Sequence, residues 1–120
     1  MADQILSIII PVYNEEATII EVLGRVMKVR LPDHWEKQLI VVNDGSSDTT
    51  EEKIHKFMQG HENALEYVRI EKNRGKGSAI RKALELARGS YTIIQDADLE
   101  YDPEEYQLLL KPVMDGLADV

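Results

Sequence analysis

The sequence contains no cysteine. Disulfides, thiolate metal sites and cysteine nucleophiles are therefore excluded. It also lacks a basic surplus: 14 Lys and Arg stand against 22 Asp and Glu, a formal net charge of −8. Nucleic-acid binders generally carry the opposite sign, so no nucleic-acid partner is expected. No apolar run approaches the roughly 20 residues of a membrane span. The opening Met1-Ala-Asp-Gln4 shows no basic segment ahead of an apolar core, as a secretory signal would. These absences lead to the expectation of a cytoplasmic protein. No internal repeat, low-complexity stretch or linker interrupts the 120 residues, a length that suits one domain (1–120) and not two.

What is present is an apolar content of 43%, enough for a packed core. Ile5 to Val12 is almost continuously apolar, the mark of a strand buried on both faces, as in a parallel sheet. Asn14 then suits a helix N-cap, with Glu15 and Glu16 in the first turn. Ile19, Ile20, Leu23, Val26 and Met27 recur at helical spacing and give one apolar face. Gln38–Val42 reads as a second buried strand, and Asp48-Thr-Thr-Glu51 resembles a capping box for a helix to about Gln59. A third strand is expected over 65–70, a third helix over 75–87 stopped by Gly89, and a fourth strand over 91–94. A fourth helix is expected from Pro103 to about Leu110. The alternation β-α-β-α-β-α-β-α argues for an α/β fold, a mostly parallel sheet with helices on both faces. The sequence stops where such a fold continues, so a fragment of a longer chain is expected.

The charge is unevenly placed. Residues 95–120 hold eight acids and one base, whereas residues 69–88 hold seven bases and two acids. In open α/β sheets ligands bind beyond the carboxyl ends of the strands. Four polar segments belong there: 11–15, 43–46, 73–77 and 96–100. Asp96 and Asp98, two apart after an apolar strand, point to one side if the backbone stays extended. Such a pair suits Mg²⁺ or Mn²⁺, or else an acidic turn leading to the next helix. Asp44-Gly45 is either turn chemistry or an acceptor for a base or ribose. Glu15 fits a first helical turn as well as a site. Arg74-Gly-Lys-Gly-Ser78 is neither a P-loop nor a dinucleotide fingerprint, because Ile70 and Ile80 stand where each needs glycine. Glycines at a helix start still admit an anion, with Lys76 and Arg81 adding charge; a solvated basic face is the alternative. His34, His55 and His61 share no spacing and read as surface residues.

Together these segments resemble the family 2 glycosyltransferases of the GT-A fold. The matching residues are Ser7-Ile-Ile-Ile-Pro-Val-Tyr-Asn-Glu15, Val41-Val-Asn-Asp-Gly-Ser-Ser-Asp48, Asn73-Arg-Gly-Lys-Gly-Ser-Ala-Ile-Arg-Lys-Ala83 and Asp96-Ala-Asp-Leu-Glu-Tyr-Asp-Pro103. The last two look most like the polyprenyl-phosphate glycosyltransferases, of the dolichol-phosphate mannose synthase type. The resemblance implies a truncated, Rossmann-like nucleotide-sugar-binding domain. It implies a UDP- or GDP-type sugar donor, a divalent metal (Mg²⁺ or Mn²⁺) and inverting transfer, with a lipid phosphate as one acceptor. Carried onto this sequence, Pro11, Tyr13 and Glu15 line the nucleoside pocket and Asp44 meets the base. Asp96 lies near the ribose or sugar, with Lys76 and Arg81 also on the donor. Asp98 binds the metal. Glu100 stands where the polyprenyl-phosphate branch often has a glutamine reaching the metal. Asp102 and Glu104 read as helix capping, so the general base is expected beyond residue 120. The longer protein is expected at the cytoplasmic face of a membrane.

Two other readings are weighed. A nucleotidyltransferase needs a glycine- and arginine-rich loop after the first strand, where this chain has Pro11-Val-Tyr-Asn-Glu15. A non-catalytic nucleotide-binding or flavodoxin-like signalling domain needs a phospho-acceptor Asp after its third strand; here Glu71-Lys-Asn-Arg74 follows. An unfinished sheet also leaves an edge, from which self-association into a homo-oligomer is expected.

Overall fold

The computed structural model describes residues 4–98. In chain order these form β1 (Gln4–Val12), α1 (Ile19–Lys28), β2 (Trp35–Asp44), α2 (Thr50–Gly60), β3 (Glu66–Ile70), α3 (Lys76–Leu84) and β4 (Tyr91–Ile94). The expected helix from Pro103 lies outside the described residues. All four strands run parallel, in the order β3-β2-β1-β4.

The apolar runs explain the layering. Leu6, Ile8, Ile10 and Val12 of β1 and Leu39 and Val41 of β2 face one way. There they pack with Ile19, Val22, Leu23 and Val26 of α1 and Ile54 of α2. Ile9, Ile40 and Val42 face the other way, against Ala79 and Ala83 of α3. Ile8, Ile9, Ile10 and Ile40 are fully buried, each contributing about 1.5–3 kcal/mol of apolar burial. The two alanines let α3 lie close to the sheet.

Three local features differ from the expectations. Helix α1 starts at Ile19 rather than near Asn14, because Asn14 takes a left-handed φ of 51° and spends its side chain on another loop. Strand β2 begins at Trp35 rather than Gln38, pairing with β1 along its whole length from Gln4↔Trp35 to Val12↔Asn43. Helix α3 ends at Leu84, well before Gly89. Gly89 has a different duty: a Cβ there would lie 2.6 Å from the Ile5 carbonyl and 2.7 Å from Ser7 Oγ. Only glycine allows this close pass against β1.

Two polar devices hold the frame. Ser7 and Gln38 are buried neighbours on the α3 side. Gln38 Oε1 accepts from Ser7 Oγ (2.7 Å) and the Arg88 amide (2.7 Å), and its Nε2 donates to the Leu86 carbonyl (2.8 Å). This satisfied network fixes the path from α3 into β4. At the far end of α1, the Lys37 ammonium donates to the carbonyls of Val26, Met27 and Val29 at 3.0, 2.9 and 2.7 Å. It covers carbonyls that a helix end leaves open and complements the dipole.

Strand order sets the place of the site. The chain moves outward from β1 through β2 to β3, then returns to pair β4 on the other side of β1. The direction of winding reverses between β1 and β4, and the loops leaving their carboxyl ends part to leave a crevice.

Candidate functional site

That crevice is a cleft of about 310 Å³. Pro11, Tyr13 and Glu15 enter it from the end of β1, Asp44 from β2, Asn73, Gly75 and Lys76 from the β3–α3 turn, and Asp96, Ala97 and Asp98 from the end of β4. Seven of the nine residues singled out from the sequence are thus brought together. Arg81 is not among them: it lines a separate hollow with Arg74, Ser78 and Glu85 on the outer side of α3. Glu100 lies outside the described residues.

The loops are positioned by one another. Asn14 donates its amide to Ser46 Oγ (2.9 Å), and its Oδ1 accepts from the Ser47 amide (2.8 Å). The Glu15 amide donates to Thr50 Oγ1 (2.9 Å). Glu16 accepts from the amide (3.0 Å) and hydroxyl of Thr49, and Lys53 Nζ donates to the Glu16 carbonyl (2.8 Å). Residues 14–16 and 46–53 are therefore clamped by reciprocal bonds. The Thr49 hydroxyl and amide hold the Glu16 carboxyl below its usual pKa. For Asp48, burial pushes the pKa up, but the Thr50 hydroxyl and the amides of Thr50 and Glu16 outweigh it and bring it below the usual value. The capping box expected from Asp48 and Glu51 does not form: Thr49 stands at the N-cap and its side chain makes no capping bond. Asp48 accepts from the Thr50 amide at 2.9 Å. Glu51 turns away to accept from Tyr67 (2.9 Å) and Arg69 (3.2 Å). Tyr67 in turn accepts from buried Asn43, whose Oδ1 holds the Ser46 amide at 3.0 Å.

Asp44 is nearly fully buried, and its two carboxylate oxygens accept the amides of Arg74 (2.9 Å) and Gly75 (2.8 Å). The first residues of the β3–α3 turn therefore hang on this side chain. Gly45 makes the approach feasible. Its φ is +71°, and a Cβ would lie 2.6 Å from the Asn73 amide nitrogen and 2.9 Å from the Lys72 carbonyl carbon. Gly75, at φ +98°, reverses the chain into α3.

The opposite wall is acidic. Asp96 is paired with Lys76, which reaches across from the start of α3. Asp98 is exposed at the rim. Glu15 sits between; its pKa is raised first by burial and further by the charges of Asp98, Asp48 and Asp96, against an opposing hydrogen bond from Thr18. The Thr18 hydroxyl donates to the Ala97 carbonyl and lies 3.4 Å from Glu15 Oε2, tying β4's exit loop to α1. Thr18 was not foreseeable from residue order, since a lone threonine before a helix carries no spacing signal.

Among the described residues no three carboxylates or histidines cluster closely enough to cage a metal. Mg²⁺ and similar hard cations need no such cage when they arrive with phosphates; one or two carboxylates then suffice. Asp96 and Asp98 supply that many hard oxygens. The donor set fits a divalent cation shared with a bound phosphate group. Among the described residues no helix is long and apolar enough to cross a membrane.

A family model described as glycosyl transferase family 2 matches residues 7–120. The chain is 35% identical over 99 residues to poly-beta-1,6-N-acetyl-D-glucosamine synthase of Staphylococcus epidermidis, covering 82% of this chain and 23% of that protein. It is 36% identical over 115 residues to undecaprenyl-phosphate 4-deoxy-4-formamido-L-arabinose transferase of Aeromonas hydrophila, covering 94% and 35%. Among solved structures it superposes on the mannosyltransferase PcManGT from Pyrobaculum calidifontis, in complex with GDP-Man and Mn²⁺, with a TM-score of 0.77 and 31% identity. That match covers 95% of this chain and 32% of the other. The chain thus spans about a quarter to a third of the length of these relatives.

Proposed function

Because this chain belongs to glycosyl transferase family 2 and has its Rossmann-like GT-A fold, we propose that it is the donor-binding part of an inverting glycosyltransferase. Its substrate is a nucleotide-diphosphate sugar of the UDP or GDP type. The observation that carries this is the convergence of Pro11, Tyr13, Glu15, Asp44, Lys76, Asp96 and Asp98 on one cleft at the strand-order reversal.

Each residue has work suited to its surroundings. The exposed Tyr13 ring and Pro11 offer flat apolar surfaces to the nucleoside, and Glu15 stands beside them as a hydrogen-bond acceptor. Asp44 fixes the turn that forms the cleft's far wall and keeps lone pairs for a base. Asp96 faces the ribose and sugar side. The start of α3, the positive end of the helix dipole, and the Lys76 ammonium favour the diphosphate. Asp98, with Asp96 alongside, is the place for a divalent cation, which when bound would neutralise charge on the departing diphosphate. Glu100 is proposed as a further contact toward the metal, whereas Arg81, on another face of α3, is given no part in donor binding.

The acceptor is proposed to be a polyprenyl phosphate. The support is the similarity to a transferase named for undecaprenyl phosphate. An ionised phosphate needs little proton removal before it attacks. In the longer protein such chemistry belongs at the cytoplasmic face of a membrane.

A thermal-shift panel of UDP, GDP and their sugars with Mn²⁺ tests the reading. Ligand at 100 times its Kd stabilises the fold by about 2.7 kcal/mol, so one nucleotide class should raise the Tm by several degrees. Inertness toward the whole panel would sink the proposal and favour a signalling domain.

A further inference from the structure

Among the described residues the cleft lining sets four carboxylates, Glu15, Asp44, Asp96 and Asp98, against one cation, Lys76. Lys76 is the first residue of α3, the end where the helix dipole disfavours positive charge. From there it reaches across the cleft to pair with Asp96. Both walls are fixed. Ala79, one turn on, is fully buried against the sheet, and the turn before Lys76 hangs on Asp44. Asp96 follows Gln95, whose buried amide donates to the Ile9 carbonyl at 2.8 Å. The pair is therefore held by rigid ends, yet the Lys76 side chain is 54% exposed and that of Asp96 25%. An ion pair so open to water is weak and readily exchanged.

We propose that Lys76 is a built-in counter-ion: it occupies Asp96 in the free protein, competes there with a divalent cation, and passes to the diphosphate when metal and nucleotide arrive together. The inference rests on the donor-binding reading above. Its physical content is an exchange of partners. A cation near Asp96 meets the Lys76 ammonium as a like charge, whereas a diphosphate in the cleft meets it as an opposite one. Removing the ammonium must therefore move two affinities in opposite directions.

The test uses Lys76→Met and Lys76→Arg, with folding checked by circular dichroism. Mn²⁺ alone is titrated by electron paramagnetic resonance, and UDP and GDP are titrated in EDTA by calorimetry. Lys76→Met is expected to bind Mn²⁺ about three- to tenfold more tightly and the nucleoside diphosphate about three- to tenfold more weakly. Lys76→Arg, which keeps the charge, stays within about twofold of the parent in both. Changes of the same sign in both titrations, or none in either, overturn the counter-ion role while leaving donor binding intact. A parent protein that binds neither Mn²⁺ nor nucleoside diphosphate overturns both.

Discussion

Replacing Asp44 by asparagine separates two duties of one side chain. The carboxylate accepts two backbone amides, from Arg74 at 2.9 Å and Gly75 at 2.8 Å, and is almost fully buried. An asparagine of the same shape can accept only one of them. Its NH₂ group then faces the other amide, donor against donor. A hydrogen bond to a charged group contributes about 1.5–3 kcal/mol, so the loss is about 2 kcal/mol, with the stranded amide at the upper end of the range. For a domain of this size that lowers the Tm by about 6–12 °C. The assay is thermal unfolding of the ligand-free protein, followed by circular dichroism. A side chain that served only a bound base would leave the free protein unchanged. An unaltered Tm for Asp44→Asn therefore refutes the anchoring geometry, whatever the variant does to nucleotide affinity.

Other outcomes follow from the same contacts. Gly45→Ala forces a β-carbon at φ +71° to within 2.6 Å of the Asn73 nitrogen and should cost about 3 kcal/mol or more, read as a lower urea midpoint. The depressed pKa values of Glu16 and Asp48 mean that their contribution is complete above the ordinary carboxylate range and is lost as pH falls through the depressed values. Acid unfolding should thus begin with the clamp between the first two loops, seen as early exchange of the Thr49 and Thr50 amides. Glu15 has the opposite sign: its raised pKa makes ionisation costly, so stability declines as pH rises through that range, and Glu15→Gln should flatten the decline. Among the described residues the sheet ends in β3 and β4, and open edges lead us to expect self-association; a monomeric mass in light scattering at high concentration contradicts it.

Much of the frame could be read from residue order. The unbroken run Ile5–Val12 announced a strand buried on both faces, and β1 is that strand at the centre of the sheet. The loop segments were legible because polar side chains after apolar runs must lie at a sheet edge. Local rules failed where side chains look across space. Asn14 has the chemistry of an N-cap but bonds to Ser46 and Ser47, more than 30 residues away. Glu51 sits where a capping box wants it, but Tyr67 and Arg69 on β3 claim it. Gly89 reads as a helix stop, whereas its position is fixed by crowding against β1. Arg81 shares its motif with Lys76, yet five residues along a helix carry it round to another face.

The central claim is that this cleft holds a nucleotide diphosphate together with a divalent cation on Asp98. Calorimetric titration of the nucleotide identified by the thermal panel, once with Mn²⁺ and once with EDTA, addresses it directly, with Asp98→Ala run alongside. The account predicts tight binding with Mn²⁺, at least tenfold weaker binding in EDTA, and no difference between the two conditions for Asp98→Ala. Equal affinity of the parent protein in Mn²⁺ and in EDTA would contradict it.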